Sequence, residues 1–139
     1  MASNADRIAD VLRADVDLTA LLDGGIHRKS EITRQNAADA FDDFGQIKGT
    51  ALVKSDGEFP TGPGGRAAVE GVSVYLYHRD NLDLLETALE RVLALVDRTQ
   101  IVGAFFEART SYVSGELEDQ ALGCPMRQVR FDVTKSRWR

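Results

Sequence analysis

Apolar residues recur at roughly helical spacing from Ile8 through Val11, Leu12, Leu18, Leu21 and Leu22. Ser3 is a good N-cap ahead of them, and Asp6 favours the first turn of a helix electrostatically. The pattern predicts an opening helix that ends at Asp23-Gly24-Gly25, with Asp15-Val16-Asp17 as the place where it can break in two. Ile26 to Ile32 reads as a short extended segment. Residues 35–46 have no clean period, so Phe41 and Phe44 fit either a helical turn or a loop that packs two rings. Thr50 to Lys54 is a short apolar run with β character. Val72, Val74 and Leu76 then alternate with Ser73, Tyr75 and Tyr77, the period-two signature of a strand with two distinct faces. Asp80-Asn81 stops that strand and caps the next segment, LDLLETALERVLALV, in which Leu82, Leu85, Leu89, Val92 and Val96 mark a helix. Leu84, Ala88, Leu93 and Leu95 widen its stripe beyond what one sheet face would cover, which predicts contact with another subunit. Ile101 to Val113 reads as a second long β segment interrupted at Gly103, and Leu117 to Gly123 as an acidic loop. Met126 to Thr134 closes the chain as a strand, with Arg127, Val129, Phe131 and Val133 on one face and Gln128, Arg130, Asp132 and Thr134 on the other. This order predicts one α+β domain, a mostly antiparallel mixed sheet with two main helices packed on one face.

The stretch GEFPTGPGGR, Gly57 to Arg66, stands between two of these strands. A phosphate-cradling loop follows a strand, opens a helix whose N-terminus meets the phosphate, and usually carries a Lys-Ser/Thr pair. Here the glycines lead into a strand and that pair is missing. The segment from Asp56 to Arg66 is read instead as a long hairpin arm. Pro60 and Pro63 are expected to block regular pairing, and Glu58, Phe59 and Arg66 offer an aromatic and both charges to a neighbour.

Composition narrows the chemistry. The 139 residues are 43% apolar and 28% charged, enough for a real core. No apolar run approaches the roughly 18 residues a membrane span needs. The N-terminal stretch lacks a basic region followed by an apolar one, as expected of a protein that folds in a cytoplasm. A lone cysteine, Cys124, rules out an intrachain disulfide and a zinc site of several thiolates, and is read as a small buried hydrophobe. His27 and His78 stand in no ligand spacing, so no metal and no cofactor is expected; His78, beside Arg79-Asp80, suits a surface or capping role. The serines lie in no nucleophile elbow, and the acidic pairs read as solvated faces, so no enzymatic activity is expected.

Net charge is −5, against a protein devoted to neutralising DNA phosphates. From Met126 onward, however, Arg127, Arg130, Lys135, Arg137 and Arg139 face only Asp132, a balance of +4 that leaves −9 on residues 1–125. Trp138 between Arg137 and Arg139 fits an aromatic interface anchor with a charged rim, or a stacking contact to nucleic acid. The acidic body favours the anchor.

Leu18-Thr19-Ala20-Leu21-Leu22-Asp23-Gly24-Gly25-Ile26 resembles the start of the tail-terminator proteins of tailed bacteriophages. The strand Val72 to Tyr77 running through Asp80-Asn81 into Leu82 to Val96 is similar to their central strand-helix unit, and Val129 to Val133 to their last strand. The resemblance spans most of the chain without a strict motif, and the glycine-rich arm departs from it. It implies a subunit of a six-membered ring at the end of the tail tube, which stops tube polymerisation and offers a surface to the head connector. Implied partners are other copies of the chain, the tube protein and the connector proteins, with DNA passing through without specific binding and no membrane. A different neck component, such as a head-completion, adaptor or stopper protein, is the alternative, and a host enzyme or ligand-binding domain with a closed pocket is a third.

Overall fold

The computed structural model describes residues 3–61, 64, 67–99 and 108–136. The opening helix does break at Asp15: α1 covers Asn4–Arg13 and α2 covers Val16–Leu21. Ser3 and Asp6 cap α1 reciprocally, each side chain accepting the other's backbone N–H at 3.1 Å. Asp15 caps α2 by accepting the Leu18 N–H at 2.9 Å. The extended segment shrinks to β1, Ile26–His27, and a 3-10 turn at Ala38–Ala40 follows. The long strands are β2 (Thr50–Thr61) and β3 (Ala67–Tyr77). Helix α3 runs Leu82–Val96, and β4 (Ala108–Val113), β5 (Leu117–Asp119) and β6 (Cys124–Ser136) complete the chain. Of the segment expected over Ile101–Val113, residues 101–107 lie outside the described residues.

The sheet order is β1-β2-β3-β6-β4, with β5 also on β6, and only the β1–β2 pair is parallel. The α+β reading holds. One face carries Ala51, Val53, Val72, Val74, Leu76, Val129, Phe131 and Val133, all fully buried against Ile8, Leu12, Leu18, Leu85 and Val92 of the helices. The alternation read in the last strand is the one observed. Emptying the space of Phe131 would cost about 3–5 kcal/mol, since it is the largest fully buried side chain in that layer.

The wide apolar stripe of α3 has an explanation inside the subunit. Leu84, Leu93 and Leu95 pack half-buried on the main core, because α1 and α2 flank α3 as well as the sheet beneath it. A second, smaller core lies on the far face of the sheet, where residues from Ile32 to Ile47 fold over Leu52, Tyr77 and Cys124. In this segment only one of the two rings packs. Phe41 joins the second core, with the Arg34 guanidinium 5.2 Å from its ring centre, whereas Phe44 is 89% exposed. Asp42 organises the turn by accepting the Phe44 and Gln46 N–H groups at 2.9 and 3.0 Å.

Candidate assembly interface

The arm differs from its reading as an unpaired connection. β2 and β3 pair to their ends, through Phe59↔Val69, Pro60↔Ala68 and Thr61↔Ala67. Two features reconcile this with the composition. Beyond Ser55 the outer flank of β2 has no strand partner among the described residues, and such an edge tolerates the N–H that Pro60 lacks. Gly57, at φ 100°, takes the shift in register between Ser55 and Gly57, a conformation that side chains resist. β6 continues beside β3 as far as Ser136↔Ala67, so the arm is three strands wide.

Polar side chains fasten this arm to the body. On the helix side, buried Glu70 accepts from the Asn4 side-chain amide at 2.9 Å and from the Ser55 hydroxyl at 2.8 Å. On the far side, the fully buried Ser73 hydroxyl donates to the Asp56 carboxylate and accepts from the Gln128 amide at 3.1 Å. Removing any one partner takes a hydrogen bond from a buried group, and a bond to a charged group is worth about 1.5–3 kcal/mol. The segment from Asp56 therefore supports the fold as well as projecting from it.

The residues singled out by sequence fall into three sets. Glu58 is exposed on the arm, and Phe59, beside it, is 54% exposed. Arg127 and Arg130 lie on opposite faces of β6. Arg127 reaches the helix side, where Nε donates to the Ser114 carbonyl at 3.0 Å and Nη1 pairs with Glu86 of α3. Arg130 lies flat over Gly71 on the far side, its Nε donating to Asp132 at 3.2 Å. Both arginines thus bond within the subunit. Arg66, Arg137, Trp138 and Arg139 lie outside the described residues.

His78 has the capping role expected of it: Nδ1 accepts from the Asp80 and Asn81 N–H groups at 3.2 and 3.0 Å, just ahead of α3. Cys124 is 1% exposed, and burial pushes its thiol up to about 12. Two concave sites on the described surface are open grooves. One of about 330 Å³ lies on the far face between Ile32, Leu52, Tyr77 and Met126, rimmed by Glu31 and Asp119. A second, of about 470 Å³, lies between Leu82, Leu117 and Pro125. The far-face network and the first groove went unnoticed in the sequence, although the period-two positions Tyr75, Tyr77 and Met126 carried a signal: they place large side chains on the face away from the helices.

No protein-family model matches the sequence, and no curated protein matches it. Among solved structures, the fold is shared with a chain from the virion of a native gene transfer agent particle: the TM-score is 0.69 over 96% of this chain and 95% of that chain, at 13% identity.

Proposed function

We propose that this protein is a structural subunit of a phage-like particle, assembling as a six-membered ring at the end of the tail tube, where it stops tube growth and offers a surface to the head connector. The observation that carries this reading is the likeness, over nearly the full length of both chains, to a component of a gene transfer agent virion. The residue patterns that resemble tail terminators agree with it. An acidic body of −9 suits the wall of a DNA passage, because it repels phosphate and lets the duplex slide. An exposed strand-rich arm and open grooves suit protein contacts better than catalysis on a small substrate, which favours an enclosed pocket with convergent polar groups.

Electron microscopy of particles made without this protein tests the assignment. Overlong tails are the expected outcome. Detached tails of normal length, or leaking heads, would move the protein to another position in the neck, and unaltered particles would remove it from the virion.

A further inference from the structure

We infer that the far-face groove receives Trp138 of a second copy of this chain, an inference that rests on the ring reading above and names the contact that joins neighbours. The groove has an apolar floor of Leu52, Tyr77 and Met126, the first two no more than 5% exposed. Its volume, about 330 Å³, suits an indole ring. Glu31 and Asp119 stand on the rim with Lys54, leaving one net negative charge. Trp138 is flanked by Arg137 and Arg139, with Lys135 close by. An aromatic between cations meets an apolar floor with an acidic rim, the complementarity that fixes register between partners.

A chain's own Trp138 cannot fill its own groove. Met126 lines the groove near the start of β6, and β6 continues to Ser136, in register with β3 all the way. Ten residues of strand at about 3.3 Å each put Ser136 about 33 Å from Met126, and six put it about 20 Å from the near end of the groove, where Lys54 lies level with Arg130, still beyond two further residues and an indole. The two residues from Ser136 to Trp138 span only about 7 Å. The indole must therefore seat in another copy. The donating and receiving surfaces are different patches, so in the ring the contact repeats head-to-tail, whereas a reciprocal exchange would stop at a two-fold pair and give a cross-linked dimer in place of a ladder.

Cross-linking decides the matter. Trp138→Cys and Ala121→Cys are combined in one chain, Ala121 being an exposed residue on the groove's rim. The native Cys124, 1% exposed, stays out of the reaction. Under mild oxidation, in purified protein over a range of concentrations and in particles, the double variant is expected to give a reducible ladder of multimers. Mixing the two single variants should give one cross-linked pair. Trp138 is the only tryptophan, so its emission should shift to the blue as wild-type multimers form, and Ala121→Arg should abolish that shift without changing the melting temperature. An intrachain bond, or a bond to Leu117→Cys at the other groove in place of position 121, overturns the assignment. The wild-type native mass in the same preparations separates the two ideas. Six-fold multimers without the 121–138 bond sink the groove and spare the ring, whereas a protein that stays monomeric in every specimen sinks both.

Discussion

Gly24 and Gly71, both buried, differ in what they tolerate. A Cβ on Gly24 would lie 2.8 Å from the Gly49 carbonyl oxygen and 2.1 Å from the Thr50 hydroxyl, at the turn between α2 and β1 where the Gly24 N–H donates to that same carbonyl at 2.7 Å. Backbone cannot yield there, so Gly24→Ala should cost about 1–3 kcal/mol in chemical denaturation. A Cβ on Gly71 would meet the Arg130 guanidinium first, its three nearest atoms at 2.6–2.8 Å. That is the end of a flexible side chain, so Gly71→Ala should displace Arg130 from Asp132 and change stability by less than about 0.5 kcal/mol. If both substitutions cost the same, the contacts assigned to Gly24 are wrong. Asp15 supplies a residue-scale test by pH. It caps α2 and accepts two hydrogen bonds from Arg91 of α3, at 2.9 and 2.6 Å, and chiefly those bonds hold its carboxyl at about 2 instead of 3.8. A lowered folded-state pKa stabilises the protein above the unfolded value, and that contribution disappears as pH falls through the folded value. Asp15→Asn keeps a good cap but loses the charge. The gap in stability between wild type and Asp15→Asn should therefore be constant above pH 5 and close between about pH 4 and pH 2. A gap that widens on acidification would rule out the ion pair as its source.

At the scale of elements, the arm separates into two parts that respond differently to shortening. Replacing residues 62–66 by Asn-Gly joins Thr61 to Ala67 through a two-residue hairpin turn, and the loop-entropy change is only about 0.8 kcal/mol, in favour of the shorter loop. The melting temperature should hold within a few degrees. Replacing Asp56 to Gly65 by two residues removes the Phe59↔Val69 and Pro60↔Ala68 pairings and strips Ser73 of its Asp56 partner, so that variant should unfold at clearly lower temperature. Equal melting temperatures would mean that the outer half of β2 adds nothing to the fold. This is also where the sequence was least legible. Local composition at Gly57, Pro60 and the glycines beyond speaks for a loop, but pairing across a sheet depends on the partner, and here the partner is β3, across the turn, itself held on its other side by β6 from the far end of the chain. By contrast α3 and the inward face of β6 were readable to the residue, because Asn81 caps the helix locally and Val129, Phe131 and Val133 alternate without interruption. The width of the α3 stripe is legible in the sequence, but periodicity does not say which neighbour covers an apolar face, and α1 and α2 cover part of this one. The groove needed long-range contacts to appear at all, since Ile32, Leu52, Tyr77 and Met126 come from four separate parts of the chain.

For the whole molecule, the uneven charge makes a statement about what salt should and should not weaken. With −9 on residues 1–125, and with Lys135, Arg137 and Arg139 left at the end of the chain once Arg127 and Arg130 bond within the subunit, a neighbour brings a basic tail to an acidic surface. Attraction of that kind between exposed groups is screened over about 10 Å at 0.1 M salt. The protein concentration at which multimers form should therefore rise between 50 and 500 mM NaCl, as read by native mass or by the emission of Trp138. The same acidic surface opposes a nucleic-acid duplex, whose binding would require released counterions from several lysine and arginine contacts. No shift of a random duplex is expected at either salt concentration, and removing residues 135–139 should abolish multimers without altering that result. Duplex binding that is strong at 50 mM, falls steeply with salt and vanishes with residues 135–139 would assign the basic strip to DNA.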